Sequence, residues 1–133
     1  MLVANYEITD QRYKDILISL SNAGFDVYTP GTHKGECKKS YIVVVNAGTD
    51  EIYGISSTQT IYEILLYVPI NNRTYLDEFA DNVKNIMRRD LWPMILPVNS
   101  ELADYVDDEK KAHMRVLQYK NYRQIIKWER RND

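Results

Sequence analysis

The segment that most constrains the fold is residues 58–68, which read TQTIYEILLYV. Its residues alternate with the period of two that a β-strand imposes, over a length typical of a long strand. One face carries Tyr62, Ile64, Leu66 and Val68. The other face carries Ile61, Leu65 and Tyr67 beside Gln59 and Glu63. Because both faces are partly apolar, we expect helices to cover one face and something else to cover the other.

Three other segments predict strands. Residues 40–46, SYIVVVN, form a β-branched run between polar loops, which is typical of a central strand. Residues 25–28 and 111–122 alternate between apolar and polar side chains. With residues 58–68, these segments predict a sheet of about four strands.

Proline, glycine and charged residues indicate the connecting segments. Residues 91–98 hold two prolines, each of which removes a backbone donor, so we expect an edge segment there. Residues 29–39 predict an exposed loop. Residues 47–57 predict either a second loop or an extension of a hairpin. Residues 101–109 are acidic and predict a loop or a short helix.

The first predicted helix covers residues 11–23. Its apolar side chains recur at helical spacing and form one stripe: Tyr13, Ile16, Leu17 and Leu20. Thr9 or Asp10 can cap its start, because a short polar side chain can accept hydrogen bonds from the first free N–H groups. Gly24 lies where a left-handed C-terminal cap is favoured.

The second predicted helix covers residues 75–89 and has the more continuous stripe. Its apolar positions are Leu76, Phe79, Ala80, Val83, Ile86 and Met87. Thr74 can cap it, and Asp77 lies three residues further on as a weaker capping-box partner. Acidic residues near its start and basic residues near its end suit the helix dipole.

The order of elements predicts an α+β fold. Strands that follow one another between isolated helices favour a mostly antiparallel β-sheet of about four strands, with two main helices packed on one face. The length of 133 residues fits a single domain over residues 1–133, with a basic C-terminal tail at about 120–133.

Composition limits the class of protein. Hydrophobic residues make up 44% of the chain, as in an ordinary globular domain. No apolar run reaches the roughly 20 residues of a membrane helix, so we expect no membrane association. The single cysteine, Cys37, cannot form an internal disulfide, which indicates a reducing compartment. The net charge of −2 argues against an electrostatic nucleic-acid binder.

A search for catalytic or metal-binding motifs finds no complete set. The glycines lack the spacing of a phosphate-binding loop. His33 and Cys37 lie four residues apart, but a zinc site needs further ligands. His113 lies on a predicted strand beside basic residues. We therefore expect no catalytic residue, no cofactor and no metal.

Two blocks of opposite charge are the candidate interaction residues. The acidic block contains Glu101, Asp104, Asp107, Asp108 and Glu109. The basic block, mixed with an aromatic residue, contains Lys120, Arg123, Lys127, Trp128, Arg130 and Arg131. Opposite blocks on one chain favour head-to-tail contacts between copies, with charges at the interface rim. We place the basic tail at a protein contact and not on DNA, because apolar residues lie among its bases.

The chain resembles the tail terminator (tail-completion, minor tail) proteins of long-tailed bacteriophages. The resemblance is carried by the opening helix with NAGFDVYTP, the strand pair SYIVVVNAGT and IYEILLYVP, the helix TYLDEFADNVKNIM and the closing strand KAHMRVLQYKNYRQI. These are patterns of shape and polarity that extend over nearly the whole chain. They do not form a catalytic signature.

The resemblance implies a structural role in the virion, in the tail or neck, after assembly in the bacterial host cytoplasm. Such proteins form a ring, usually of six subunits, on the last row of the tail tube. The ring ends tube polymerisation and presents a surface to the head–tail connector protein. DNA passes through the lumen without specific binding. The subunit before assembly on the tube is expected to be a monomer.

Three other classes remain open from the sequence. A head–tail connector or completion protein of the neck would have a similar size and element order. A small α+β metal-dependent nuclease would use the carboxylates of the acidic block. A ligand-binding or regulatory domain would dimerise through its sheet.

Overall fold

The fold combines two helices with a six-stranded sheet, in a computed structural model that describes residues 10–51, 57–98 and 102–124. The elements are α1 (Gln11–Asn22), β1 (Val27–Tyr28), β2 (Tyr41–Glu51), β3 (Ser57–Pro69), α2 (Tyr75–Leu91), β4 (Leu96–Pro97), β5 (Tyr105–Asp107) and β6 (Ala112–Gln124). The predicted α+β class is confirmed. The predicted count of about four strands is too low, because β4 and β5 add two short strands.

The sheet is open, and its strands follow the order β1-β2-β3-β6-β4, with β5 also paired to β6. The β1–β2 pair is parallel, and the other pairs are antiparallel. The strands β4 and β5 lie along the same edge of β6, where Leu96 pairs with Lys120 and Tyr105 pairs with Met114. Of the edge segment predicted for residues 91–98, Leu96–Pro97 form the edge strand β4, whereas Leu91 is the last residue of α2. β5 replaces part of the loop or short helix that was predicted for residues 101–109.

Helix α1 has a defined cap at each end. Asp10 is the N-cap, and its Oδ1 accepts hydrogen bonds from the backbone N–H groups of Arg12 and Tyr13. At the other end the Gly24 N–H donates to Ser21 and the Phe25 N–H donates to Leu20, which is the pairing of a Schellman motif. Gly24 has a φ of 97°, so the predicted left-handed cap is confirmed.

Helix α2 begins without the predicted capping box. Thr74 has helical backbone angles, and its side chain makes no capping hydrogen bond. Asp77 accepts a hydrogen bond from Arg115 on β6 instead, at 2.8 Å. Arg115 and Asp77 are far apart in the sequence, so a four-residue capping motif cannot predict this contact. The Asp77 carboxylate binds Arg115 in place of the backbone N–H at the start of α2.

Both helices cover the same face of the sheet. The main core cluster joins α1 and α2 to β2, β3 and β6 through these buried side chains: Ile16, Leu17, Leu20, Phe79, Val83, Met87, Ile42, Val44, Tyr62, Ile64, Leu66, Val68, Leu117 and Tyr119. The predicted stripes of both helices therefore lie in the core, and Ile86 packs at its margin. Burial of this apolar surface is the main force that holds the helices on the sheet.

The β2–β3 hairpin is longer than the central strand predicted at residues 40–46. Residues 47–51 continue β2 and pair with β3, so the hairpin extension is the correct alternative for that part. The register shifts between Asn46 and Gly48, where Gly48 has a φ of 124°. The Asn46 side chain accepts a hydrogen bond from the Gly48 N–H, which stabilises the bulge.

Candidate interaction surface

The face of the sheet opposite the helices is the candidate functional surface. Cross-strand register places its side chains in rows. The first row is Tyr41, Tyr67 and Met114. The next rows are Val43, Leu65 and Val116, then Val45, Glu63 and Gln118, then Gly48, Ile61 and Lys120. The face is therefore aromatic at one end and mixes β-branched and polar side chains along the rest.

The aromatic end of this face is covered by the connection between β1 and β2. A second, smaller core cluster joins Cys37 of that connection to Tyr41 and Ala112, and it contains no helix residue. The His33 ring stacks on Tyr41 with centroids 3.7 Å apart, and Tyr41 stacks on Tyr67 at 4.6 Å. His33 and Cys37 thus pack on the first row of the face.

Lys110 anchors this cover to the sheet. Its Nζ donates to the carbonyl oxygens of His33 and Gly35, at 3.3 and 3.4 Å. The Cys37 N–H donates to the Lys110 carbonyl at 2.6 Å. Burial raises the pKa of the Cys37 thiol to about 11, so the thiol stays protonated at neutral pH. Cys37 and His33 therefore act as parts of a packed aromatic cover.

Beyond Val43, the remaining rows of this face belong to neither hydrophobic cluster of the described residues. We use the name uncovered strip for six half-buried side chains that lie outside both clusters: Val45, Ile61, Glu63, Leu65, Val116 and Gln118. Glu63 and Gln118 are hydrogen-bonded to each other at 3.0 Å. The strip is apolar around this one polar pair, which is the composition of a surface that another protein segment can cover.

The acidic block does not act as one unit. Asp104 binds Arg115 through two hydrogen bonds of 2.7 Å, and the Arg115 guanidinium lowers the pKa of that carboxyl. Arg115 also reaches Asp77 on α2, and Arg73 lies 3.8 Å from Asp104. Asp104 therefore ties the segment before β5 to β6 and α2. Glu101 lies outside the described residues.

The other acidic residues lie in or beside the turn between β5 and β6. Asp107 accepts a hydrogen bond from the Lys110 N–H, and Asp108 and Glu109 are exposed. Lys110 and Lys111 follow directly in the sequence. The turn therefore carries neighbouring charges of both signs. Its net negative charge is smaller than the acidic residues alone would give.

The basic block begins inside the sheet. Lys120 lies on the open face, with its Nζ 5.3 Å from the centre of the Tyr122 ring. Arg123 is a β6 residue that pairs with Thr58. The remaining candidates, Lys127, Trp128, Arg130 and Arg131, lie outside the described residues.

Among the described residues, the acidic turn and the basic positions are not brought together. The acidic turn precedes β6, whereas Lys120 and Arg123 lie towards the far end of this strand of 13 residues, which is roughly 40 Å long. The uncovered strip lies between them and was not among the candidate residues, although the alternation of residues 58–68 indicated it.

Apart from the open face of the sheet, a concave surface lies between α2 and β6. Its volume is about 940 Å³, and Met87, Ile95 and Leu117 are among its apolar lining residues. The bridge between Asp104 and Arg115 lies at its wall. The two acidic side chains that line it are thus held by an arginine, which leaves them poorly placed to ligate a cation.

Within the described ranges, no group of three or more His, Cys, Asp or Glu side chains is arranged to hold a metal ion. The helices described are also too short or too polar to cross a lipid bilayer. Comparison with protein-family models finds no match, and neither does comparison with curated protein sequences.

Proposed function

We propose that this chain is a structural assembly protein whose open sheet face binds neighbouring subunits. The observation that carries the proposal is the one-sided arrangement of the helices. Both helices pack on one face of the sheet, while the uncovered strip leaves Ile61, Leu65 and Val116 half-buried on the other. Covering such a strip with a protein partner removes apolar surface from water and favours association.

The resemblance to phage tail terminator proteins gives the assembly its form. In this proposal the chain caps the tail tube as a ring of six copies, ends tube polymerisation and provides the joining surface for the head–tail connector protein. The chain is then a virion component of the tail or neck and not an enzyme. DNA passes through the lumen without specific binding.

Ring formation requires two different patches on each subunit. The open face is one patch. The second lies elsewhere on the same subunit, and the ends of β6 are candidates because they carry different charged groups, Asp108 at one end and Lys120 near the other. Salt then weakens association, because rim charges contribute through electrostatic attraction.

The alternative position is in the neck, as a connector or completion protein. The same open face would serve that role, so the partner distinguishes the two. The nuclease alternative has less support, because the carboxylates of Asp77 and Asp104 are engaged by Arg115.

The test is a tube-growth experiment in which this chain is mixed with purified phage tail tube protein. A terminator shortens the tubes when it is present during polymerisation and is found at tube ends. A neck protein leaves tube length unchanged and binds the purified connector. Unchanged tubes together with no binding to either partner would contradict the assembly role.

A further inference from the structure

The uncovered strip lies outside both hydrophobic clusters of the described residues, and the chain itself contains a segment of matching chemistry. We propose that residues 125–133 of one copy dock on the uncovered strip of a neighbouring copy. The proposal deepens the assembly role and rests on it, because it names the partner segment of the open face. We call the uncovered strip the acceptor of this contact and residues 125–133 its donor segment.

The chemistry of the strip fits this donor. Ile61, Leu65 and Val116 provide apolar side chains on two neighbouring strands, and Glu63 lies in the next row. Asp50 lies further along the same face. Lys120 lies in the Ile61 row, so the acceptor offers an apolar surface bordered by two carboxylates and one ammonium group.

The sequence after Gln124 has the complementary chemistry. It reads IIKWERRND, with the apolar residues Ile125, Ile126 and Trp128 between the basic residues Lys127, Arg130 and Arg131. Large apolar and aromatic side chains bury the most surface on docking, and arginine is favoured at interfaces. The basic side chains can pair with the carboxylates that border the strip.

The position of the end of β6 favours docking of residues 125–133 on a neighbouring copy over docking on the same copy. Gln124 pairs with Ser57 at the far end of the sheet, eight residues beyond Val116 in the Leu65 row. The distance back to that row is about 27 Å along the strand. Trp128 lies four residues after Gln124, and four fully extended residues span only about 13 Å. Trp128 therefore cannot reach Leu65 of its own copy.

The test is disulfide trapping between two different variants of the full chain. One variant carries Leu65→Cys and the other carries Trp128→Cys together with a short mass tag. Native Cys37 is 5% exposed, and its raised thiol pKa keeps it unreactive near neutral pH. Ile18→Cys is the matched control acceptor, because Ile18 is an exposed apolar residue on α1.

Mixed and oxidised, the Leu65→Cys and Trp128→Cys variants are expected to form a mixed disulfide dimer. The yield should be at least several-fold above that of the Ile18→Cys control. Val116→Cys, in the same row on the neighbouring strand, should also form the dimer, which guards against a folding defect in one variant. Circular dichroism checks that each variant is folded.

Two results would overturn the docking proposal. One is a dimer yield equal to the Ile18→Cys control, both in concentrated solution and on tail tubes. The other is an intrachain disulfide in a Leu65→Cys, Trp128→Cys double variant at high dilution, which would place the segment on its own sheet. If the wild-type chain caps tubes while trapping fails, the assembly role stands and only this occupant is wrong. If trapping succeeds without capping, the occupant stands and the tube role fails.

Discussion

The Asp10 side chain joins the start of α1 to two strands of the sheet. Its carboxylate caps the helix through two backbone N–H groups and also accepts hydrogen bonds from the Tyr62 hydroxyl and from Asn46. The sequence predicted only the cap, because capping is local. The contacts to β2 and β3 depend on packing that no local pattern contains.

We predict that Asp10→Ala lowers the free energy of unfolding by about 2–3 kcal/mol, from the lost cap and two lost side-chain hydrogen bonds. Asp15→Ala is the control on the same helix, since among the described residues the Asp15 side chain bonds to its helix neighbours Gln11 and Arg12. It should cost less than about 1 kcal/mol. Urea denaturation measures both values. Equal losses would show that the contacts to the sheet contribute nothing.

His33 provides a pH-dependent contribution to stability. Burial, and then the nearby Lys110 ammonium, lower the pKa of its imidazole, with Asp26 opposing them. The unfolded chain therefore binds this proton at a higher pH than the folded chain does. Stability contributed by the neutral ring is present above the unfolded pKa of about 6.5 and is lost as the pH falls towards the lower folded pKa.

We predict that His33→Phe, which retains a ring for stacking on Tyr41, reduces the loss of stability between about pH 7.5 and about pH 5.5. Urea denaturation of wild type and variant at both pH values measures the difference. Carboxylates titrate in both proteins, so they serve as an internal control. An equal loss in the two proteins would mean that the aromatic cover does not depend on the charge of His33.

At the scale of elements, the sequence predicts helices and strands that have a clear hydrophobic period. It misses elements that form only through contacts with distant parts of the chain. The stripe of α2 is read correctly because Leu76, Val83 and Met87 follow the helical period. β5 is missed because three residues carry too little pattern, and it exists through pairing with β6. The cover over the open face is missed because stacking of His33 on Tyr41 joins a loop to a strand.

The helix prediction can be tested at one buried position. Val83 is 0% exposed in the main core, so we predict that Val83→Asp lowers the free energy of unfolding by more than about 3 kcal/mol by burying an unpaired charge. Asn82→Asp introduces the same side chain at an exposed position and should change it by about 0.5 kcal/mol or less. A urea midpoint unchanged in Val83→Asp would show that the packed face of α2 is assigned wrongly.

The start of the basic tail, predicted at about residue 120, moves to residue 125, because β6 extends to Gln124. Residues 120–124 belong to β6, where Arg123 pairs with Thr58 and Gln124 with Ser57. Truncation after Tyr122 would therefore remove paired strand residues as well as the tail. We predict that a chain ending at Gln124 keeps the wild-type circular dichroism spectrum and urea midpoint. A lowered midpoint would show that residues 125–133 stabilise the fold within a single copy.

At the scale of the whole molecule, the two faces of the sheet differ: both helices pack on one face, and the uncovered strip lies on the other. The sequence indicated this asymmetry, because both faces of residues 58–68 are partly apolar. It did not single out Leu65 or Val116, because the charged candidate residues lie near the two ends of β6. The structure shows that Asp104 is engaged by Arg115 and that Leu65 lies in a half-buried row.

The assembly role is tested most directly by electron microscopy of tail tube ends incubated with wild type, Leu65→Lys or Ile18→Lys. Leu65→Lys adds a charge to the uncovered strip, while Ile18→Lys adds the same charge to an exposed position on α1. We expect a ring of density at tube ends for wild type and for Ile18→Lys, and bare ends for a folded Leu65→Lys. Bare ends with wild type, or capped ends with Leu65→Lys, would contradict the assembly role.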